Sequence, residues 1–471
     1  MRKIKTIKTV FLVITRGFII RNILRSGVLS HLTRKGVRVV IFFENVRGKP
    51  LSQALKKEFE SGMVVVESPD EFKRKPSLRT MLYSVFRLTA SFFVYSETTW
   101  FYSRFGNKKN LNRWIGFAYI ERFFFSLLSK FPFIKGAARF CEQTVFYEER
   151  FSAYFNIYEP NMVFSTSIIS RADIQFLKEA KKRGIKTVSM PKGWDNVTRM
   201  LYRVIPDVFI VQNEVMRADA QRVQQIPPTS IVTCGFPQFD WYRRPEIIMP
   251  REEFFKKIGL DPNRRLIFFG SEGTWAQRDH EVARFIAESI KKGVFSEPCS
   301  LLVRPHFSDV TNRRFDFLSS YPHVKIDENF TPSDFFIDNW NPGIEETKLF
   351  TNLVYYSDML IATASTLFLD AACCNKPSIG IAYDAFFDPR TGKDVTADLY
   401  TMNHLRDVID TGAVLMVRND KELIQAIEHV LEEGSRFKEQ ERQVLLRKIC
   451  FNVDGKSAER VAGAILSLIE D

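Results

Sequence analysis

Short apolar runs recur along the chain and alternate with segments of helical periodicity. In the first half, strands are predicted at "TVFLVIT", "VRVVIFFE", "NMVFSTS", "IKTVSM", "DVFIVQN" and "TSIVTCG". In the second half they are predicted at "LIFFGS", "CSLLVRPH", "VKIDE", "DMLIAT", "PSIGIAY" and "AVLMVRN". Helical patterns fall between them, at 171–184, 279–292, 370–375 and 457–469. This alternation predicts parallel sheets with crossover helices, which is an α/β fold.

The stretch "YRRPEIIMPREEFFKKIGLDPNRR" (242–265) interrupts this alternation with prolines and many charges. The chain has 471 residues, more than the roughly 250–300 at which a single core usually divides. We therefore predict two similar domains, an N-terminal one over 1–245 and a C-terminal one over 246–471. The last helix is long enough to reach back over the first domain.

Charge and aromatic content add a third feature, since the net charge is +13 and 44 residues are Phe. Residues 101–140 alone hold eight Lys or Arg, one Glu and twelve aromatic residues. An apolar helix with basic edges is typical of a segment that lies on anionic lipid. We expect an insertion at about 80–150 to contact the membrane, with Phe123, Phe124 and Phe125 facing lipid. The alternative is a helix that covers the core of the first domain.

Several other classes of protein and site are disfavoured. The six cysteines show no metal-binding spacing, which favours reduced thiols in the cytosol. Arg16 interrupts the apolar N-terminus too early for a signal peptide. The sequence contains no uncharged apolar run of about 18 residues, so no transmembrane helix is predicted. The basic charge permits nucleic-acid binding, but no motif for it appears. We expect a cytoplasmic protein, peripheral on the inner face of the membrane, without a nucleic-acid partner.

The carboxyl ends of three predicted strands in the second half carry groups suited to an anion. They are 270–274 (GSEGT), 304–306 (RPH) and 363–366 (TAST). Ligands of α/β sheets bind at such ends, and a helix N-terminus adds free N–H donors for a phosphate. The predicted phosphate-binding residues are Gly270, Ser271, Gly273, Thr274, Arg304, His306, Thr363, Ser365 and Thr366. Asp370, one helical turn further on, is predicted to accept hydrogen bonds from ribose or sugar hydroxyls. The alternative is that Ser365 and Thr366 only cap the helix.

The halves and the order of these motifs resemble the GT-B glycosyltransferase superfamily. The nearest resemblance is to the branch of CDP-glycerol glycerophosphotransferases and surface-polysaccharide transferases. It lies in "RPH", in the block 357–384, in the closing "FNVDGKSAERVAGAIL", and in "PKGWDN" with "VTCGFPQFDWY". The resemblance implies two Rossmann-like domains whose parallel sheets face a central cleft.

The resemblance also implies an activity. The expected enzyme transfers a sugar from a nucleotide-diphosphate sugar to a lipid-linked or cell-surface saccharide. A CDP-glycerol or ribitol-type polyol-phosphate transferase is the nearest alternative, and a catalytically inactive protein of this fold is another. We expect neither a metal nor a cofactor.

Departures from the family pattern bear on the mechanism. Retaining members commonly carry two acids separated by seven residues, but the residue eight before Asp370 is Ala362, which favours inversion. Inversion needs a base on the acceptor hydroxyl. Asp195, after the strand "IKTVSM", is our candidate, and Glu44 is the second choice. The alternative for Asp195 is an Asx turn. The acceptor side is predicted to include Gly17, Arg21, Trp194 and Asn196.

Overall fold

Two parallel sheets form the framework of the protein. The computed structural model describes residues 7–70, 76–105, 115–309 and 313–470, apart from the side chains of 115–118, 121 and 470. The strands are β1 (Thr9–Ile14), β2 (Arg38–Phe43), β3 (Val64–Glu67), β4 (Met162–Ser165), β5 (Lys186–Ser189), β6 (Val208–Val211), β7 (Ile231–Thr233), β8 (Arg265–Gly270), β9 (Cys299–Arg304), β10 (Val324–Ile326), β11 (Met359–Ala362), β12 (Ser378–Ile381) and β13 (Val414–Val417). Their orders are β3-β2-β1-β4-β5-β6-β7 and β10-β9-β8-β11-β12-β13.

Helices connect these strands, as the parallel pairing requires. They are α1 (Gly17–Ile19), α2 (Val28–Arg34), α3 (Gln53–Phe59), α4 (Leu78–Ser91), α5 (Glu97–Phe105), α6 (Ile115–Ser129), α7 (Pro132–Gln143), α8 (Ser152–Tyr158), α9 (Arg171–Lys182), α10 (Glu214–Arg222), α11 (Arg251–Ile258), α12 (Asp279–Lys292), α13 (Ile344–Tyr356), α14 (Leu367–Cys373), α15 (Asn403–Ile409), α16 (Asp420–Glu433), α17 (Glu439–Leu445) and α18 (Ser457–Glu470). A π-helical turn, Ile20–Leu24, continues α1 at the carboxyl end of β1.

The predicted α/β class with two parallel sheets is confirmed, and every predicted strand is present. The sequence did not predict β3, a four-residue edge strand that pairs with β2 alone. The helix predicted at 370–375 is α14, which begins at Leu367, so Asp370 lies in its first turn. The sheets separate between β7 and β8, and the predicted boundary near 245 falls in that interval.

The last helix returns to the first domain, as predicted. Val461 and Ile465 of α18 are fully buried in the same core cluster as Val10 and Leu12 of β1. The carboxylate of Asp240 accepts hydrogen bonds from the first two backbone N–H groups of α18, at 3.0 and 2.8 Å. An acid at a helix N-terminus satisfies otherwise unpaired donors, and this cap fixes where the returning helix begins.

Helix α5 joins the two domains on another side of the molecule. The ring of Phe101 packs against Trp275 and Phe386 of the second domain, with centroids 5.4 and 6.2 Å apart. Arg104 forms an ion pair of 3.2 Å with Asp398. The insertion that contains α4–α7 is therefore attached to both domains, and the cleft lies beside α5.

Candidate active site

A cavity of about 620 Å³ lies between the carboxyl ends of the two sheets. Its size is typical of a site for a small-molecule ligand. The strands of each sheet end at a common edge, and the two edges border the same cavity, so the motifs after β5, β8, β9 and β11 meet there. The predicted residues that line it are Arg21, Trp194, Asp195, Asn196, Ser271, Thr274, Arg304, His306, Ser365, Thr366 and Asp370.

Glu44, the second choice for the base, does not line this cleft. Its carboxylate accepts a hydrogen bond of 3.1 Å from the backbone N–H of Ala172, at the N-terminus of α9. Burial raises the pKa of Glu44 to about 7, and the carboxylate of Asp173 adds to the effect. The placement at the end of β2 was right, but the side chain turns towards α9. Glu44 therefore does not lie where the predicted base would meet an acceptor in this cleft.

Four more predicted site residues, Gly17, Gly270, Gly273 and Thr363, are not among the residues that line the cleft. A Cβ on Gly17 would lie 1.6 Å from the carbonyl oxygen of Trp340, and one on Gly270 would lie 2.2 Å from Leu367. These two glycines therefore permit close packing and do not face a ligand. Thr363 is fully buried beneath the loop. The positions of these four residues therefore do not fit the predicted contact with a ligand.

Asp195 projects into the cleft from the loop after β5, on the N-terminal wall. Its carboxylate accepts a hydrogen bond of 2.6 Å from Asn196 Nδ2, and Arg199 lies 3.9 Å away. Trp194 is nearly buried and meets the ring of His404 edge to face, with centroids 5.1 Å apart. Asn196 is thus placed to orient the carboxylate, whereas Trp194 presents less surface for stacking on a sugar than expected.

The start of α14 forms the donor side of the cleft. Ser365 and Thr366 line it, and the backbone N–H of Ala364 already donates to the hydroxyl of Tyr400 over 2.8 Å. Asp370 accepts a hydrogen bond of 2.6 Å from the hydroxyl of Tyr242. Burial raises the pKa of Asp370 to about 6, against the effects of the Tyr242 hydrogen bond and the Arg21 guanidinium. At neutral pH the carboxylate is mostly ionised and able to accept hydroxyl donors.

Arg304 reaches the cleft, but its charge is already neutralised. It pairs with Asp327 through a very short contact and with Glu346 at 3.2 Å. One cation facing two carboxylates attracts a phosphate weakly, so Arg304 acts mainly as an anchor for the loops after β9 and β10. Burial also lowers the pKa of His306 to about 4, which leaves the imidazole neutral. The charges of Arg304 and His306 therefore do not support the predicted contacts with a phosphate.

Cations that sequence reasoning missed line the N-terminal wall. Lys192 has no hydrogen bond or ion pair within the described part of the chain, and burial lowers its pKa to about 8, with the charge of Arg16 adding to the effect. Arg199 lies over the ring of Tyr102, 4.0 Å from its centre. Lys192 stands in the motif "PKGWDN", so its place after β5 was a usable signal. Arg199 follows in a loop without periodicity and gave none.

An aromatic group closes one end of the cleft. The rings of Phe307 and Trp340 are stacked with centroids 5.5 Å apart, and Phe330 packs beside them. Arg21 lies over Trp340, 5.7 Å from the ring centre. These aromatic residues occupy loops between 305 and 342, where no regular pattern predicted their placement.

The two facing sheets and the ligand-sized cleft between them are the arrangement of the GT-B fold. The chain belongs to the CDP-glycerol:poly(glycerophosphate) glycerophosphotransferase family, whose sequence profile matches residues 179–467. The predicted GT-B-type transferase of surface-polymer synthesis, in the glycerophosphotransferase branch, is thereby confirmed. No curated protein sequence is significantly similar to the chain.

Solved structures share the fold at low identity. The S. aureus MnaA–UDP co-structure has a TM-score of 0.54 and 11% identity, covering 99% of this chain and 98% of that chain. The UDP-GlcNAc 2-epimerase from Neisseria meningitidis, bound to UDP-GlcNAc, has a TM-score of 0.53 and 10% identity, covering 98% of this chain and 100% of that chain. These similarities establish the two-domain fold.

Proposed function

We propose that the protein transfers a sugar from a nucleotide-diphosphate donor to a saccharide acceptor, with inversion, at a membrane surface. The observation that carries the proposal is the pairing of two walls in one cleft. Ser365, Thr366 and Asp370 on the C-terminal wall offer contacts for a diphosphate and a ribose. Asp195 on the N-terminal wall is placed to accept the proton of an acceptor hydroxyl.

The cations of the cleft support an anionic ligand. Arg21, Lys192 and Arg199 line it, and burial has already displaced the pKa of Lys192 downwards. An anion near Lys192 would restore its charge, because an opposite charge favours the ionised form. Phosphate groups of the donor, or of a lipid-linked acceptor, are the ligands that fit this wall.

Transfer of a polyol phosphate from a CDP-activated donor is the second candidate. The family match favours it, because the family is described by CDP-glycerol-dependent glycerophosphate transfer and its profile covers both Asp195 and the donor wall. The same cleft serves either reaction, since the leaving group of the donor is a nucleotide in both. The two candidates differ in the transferred group and in the nucleobase.

Nucleoside diphosphates are expected to stabilise the protein. A ligand at about 100 times its dissociation constant contributes about 2.7 kcal/mol to the free energy of unfolding. For a chain of this size, we expect the midpoint of thermal unfolding to rise by about 2–5 °C. UDP, CDP, GDP and dTDP are compared in a thermal-shift assay, with the parent nucleosides as controls. The proposal fails if no nucleoside diphosphate raises the midpoint of thermal unfolding more than its parent nucleoside does. The nucleobase that gives the largest rise distinguishes a CDP-activated donor from other donors.

Membrane contact is proposed for the insertion, because α7 has inverted polarity. Its charged residues Lys135 and Glu142 are buried, whereas Phe133 and Phe140 are 70% and 66% exposed. Glu142 pairs with Lys178 at 2.9 Å and with Arg203 at 2.6 Å. A helix on a water-facing surface shows the opposite arrangement. The charges hold α7 on the domain and direct its rings outwards.

The exposed apolar surface continues over the neighbouring helices α4 and α6. Its large exposed side chains are Leu78, Met81, Leu82, Val85, Leu88, Tyr119, Ile120, Phe123, Phe124, Leu127, Phe131, Phe133 and Phe140. Such a surface marks an interaction site, and the net charge of +13 favours anionic lipid as the partner. No described helix is long and apolar enough to cross a bilayer. Residues 106–114 of the predicted segment lie outside the described residues.

One detail of the predicted lipid contact changes. Phe123 and Phe124 are exposed, as the prediction requires, but Phe125 stacks on Phe92 with ring centroids 4.8 Å apart. Phe125 therefore packs between helices and does not face outwards. A test of lipid contact should replace exposed rings alone.

Replacing Phe123, Phe133 and Phe140 by Ser is expected to lower affinity for vesicles containing anionic phospholipid at least about tenfold per ring. Full burial of one such ring contributes about 1.5–3 kcal/mol. Binding is measured by co-sedimentation at low salt and should weaken at physiological salt, where charges are screened over about 8 Å. The control replaces three exposed apolar residues elsewhere, Val294, Ile344 and Val444, by Ser. Equal binding by both triple variants would contradict lipid contact by α6 and α7.

A further inference from the structure

Glu272 faces the proposed phosphate position from the loop after β8. It lines the cleft, and the hydroxyl of Ser365 lies within hydrogen-bonding reach of its carboxyl group. Ser365 and Thr366 directly precede α14, and the proposed function places the donor's diphosphate beside them. The chain therefore puts a carboxyl group, and not a cation, beside that position.

The loop that carries Glu272 is held in place. The backbone N–H of Glu272 donates to the carboxylate of Asp279 over 3.1 Å, and that of Gly273 donates to Ser271 Oγ over 3.1 Å. Gly273 has a φ of +63°, and a Cβ there would lie 2.4 Å from Ser308 Oγ. Because the backbone is fixed on both sides, the fold holds Glu272 at the wall of the cleft.

Carboxylates surround Glu272. Asp279 and Asp309 lie on its own side of the cleft, bridged by Arg314 at 2.8 and 2.7 Å. Asp195 faces it from the N-terminal wall. The other titratable groups near it are Tyr102 of α5, Tyr400, and His306, whose ring lies against the adjacent Gly273.

This environment favours the neutral form of Glu272. Burial raises its pKa to about 8, and Asp279 and Asp195 add to the effect while the Ser365 hydroxyl opposes it. A half-buried acid that faces other carboxylates retains its proton more readily, because a further negative charge there is costly. A carboxylic acid that is neutral at physiological pH is a hydrogen-bond donor, whereas a carboxylate only accepts.

We propose that Glu272 binds the activated donor as a neutral carboxylic acid, donating a hydrogen bond from its carboxyl O–H to a phosphate oxygen. This inference rests on the proposed function, which supplies the phosphate. An ionised Glu272 would repel a diphosphate at the same position, so binding requires the protonated form. A buried acid kept neutral in order to donate is known chemistry for an enzyme site.

Calorimetric titration of the 471-residue protein with UDP, CDP and inorganic pyrophosphate between pH 6.5 and 9.5 tests this inference. The wild type should bind best below pH 8 and lose affinity above it, by up to about tenfold per pH unit. Glu272→Gln keeps a neutral hydrogen-bond donor, so the affinity of this variant at pH 7 should stay within about threefold of the wild type. Its affinity should no longer fall as the pH rises. Glu272→Ala should bind about 10–100-fold more weakly, as expected for a hydrogen bond to a charged group.

Lys192 also loses its charge near pH 8, so the comparison is repeated in a Lys192→Met background. Glu328→Gln, at an exposed glutamate after β10, is the matched control and should behave as the wild type. The inference is overturned if Glu272→Gln binds as weakly as Glu272→Ala, or if it keeps the full pH dependence. Pyrophosphate binding with the predicted pattern, without nucleotide binding, would support the inference and contradict the proposed donor. If the wild type binds none of these probes, both the inference and the proposed donor are contradicted.

Discussion

Asp370→Ala is expected to lower transfer by about 10²–10⁴-fold while the protein remains folded. Asp370 lies on the donor wall, and its mostly ionised carboxylate is able to accept hydrogen bonds from two adjacent hydroxyls of a ribose or sugar. Each hydrogen bond to a charged group contributes about 1.5–3 kcal/mol, and each 1.4 kcal/mol corresponds to a factor of ten. The measurement is turnover of the donor identified in the thermal-shift assay, with a melting curve for each variant.

The matched control for Asp370→Ala is Tyr242→Phe. Both changes break the hydrogen bond of 2.6 Å between these residues, but only Asp370→Ala removes the carboxylate. If donor binding depends on the carboxylate, Tyr242→Phe should retain most of the activity. Equal loss in both variants would show that the bond to Tyr242 matters, and that Asp370 does not contact the donor. Arg304→Ala is a poorer test, because it would leave two buried carboxylates unneutralised and destabilise the fold.

Asp195→Asn is expected to lower turnover about 10²-fold or more, with little change in affinity for nucleoside diphosphates. The substitution keeps the size of the side chain and removes its basicity, and a positioned base typically contributes 10²–10⁴-fold. Donor affinity should persist because Asp195 belongs to the wall opposite Ser365 and Asp370. Steady-state kinetics give the turnover, and titration with the nucleoside diphosphate gives the affinity.

Two further measurements complete the test of Asp195. Glu44→Gln, which removes a carboxylate outside the cleft, should leave turnover close to that of the wild type. Asn196→Ala should give an intermediate loss, because it removes the hydrogen bond of 2.6 Å that orients Asp195. Unchanged turnover in Asp195→Asn would assign the base to another group. A product with retained anomeric configuration would overturn the inverting mechanism.

Local patterns in the sequence were sufficient to predict most of the strands of the two sheets. Buried parallel strands appear as short apolar runs, and twelve of them were recognised in this way. The edge strand β3 was missed because its four residues, Val64–Glu67, are stabilised by pairing with β2 more than by their own pattern. The π-helical turn at Ile20–Leu24 had no recognisable signal either.

The same logic placed part of the site. Because parallel strands of one sheet end at one edge, Thr274 and Asp370 were expected together, and the GT-B resemblance placed Asp195 opposite them across the cleft. Glu44 and Thr363 also follow strand ends, but they do not line the cleft. The rule predicts which end of a strand a residue occupies, but the direction of its side chain depends on packing against neighbours.

The sequence by itself determined the two parallel sheets, the returning helix α18 and the edge at which the cleft forms, because these depend on local periodicity and chain order. Only the tertiary structure decided the charges within the cleft. Arg304 is neutralised by partners more than 20 residues away, and burial lowers the pKa of His306 and raises that of Glu272. It also decided that α7 directs its aromatic rings outwards. Protonation and exposure depend on neighbours that folding brings from distant parts of the chain, and no local pattern contains them.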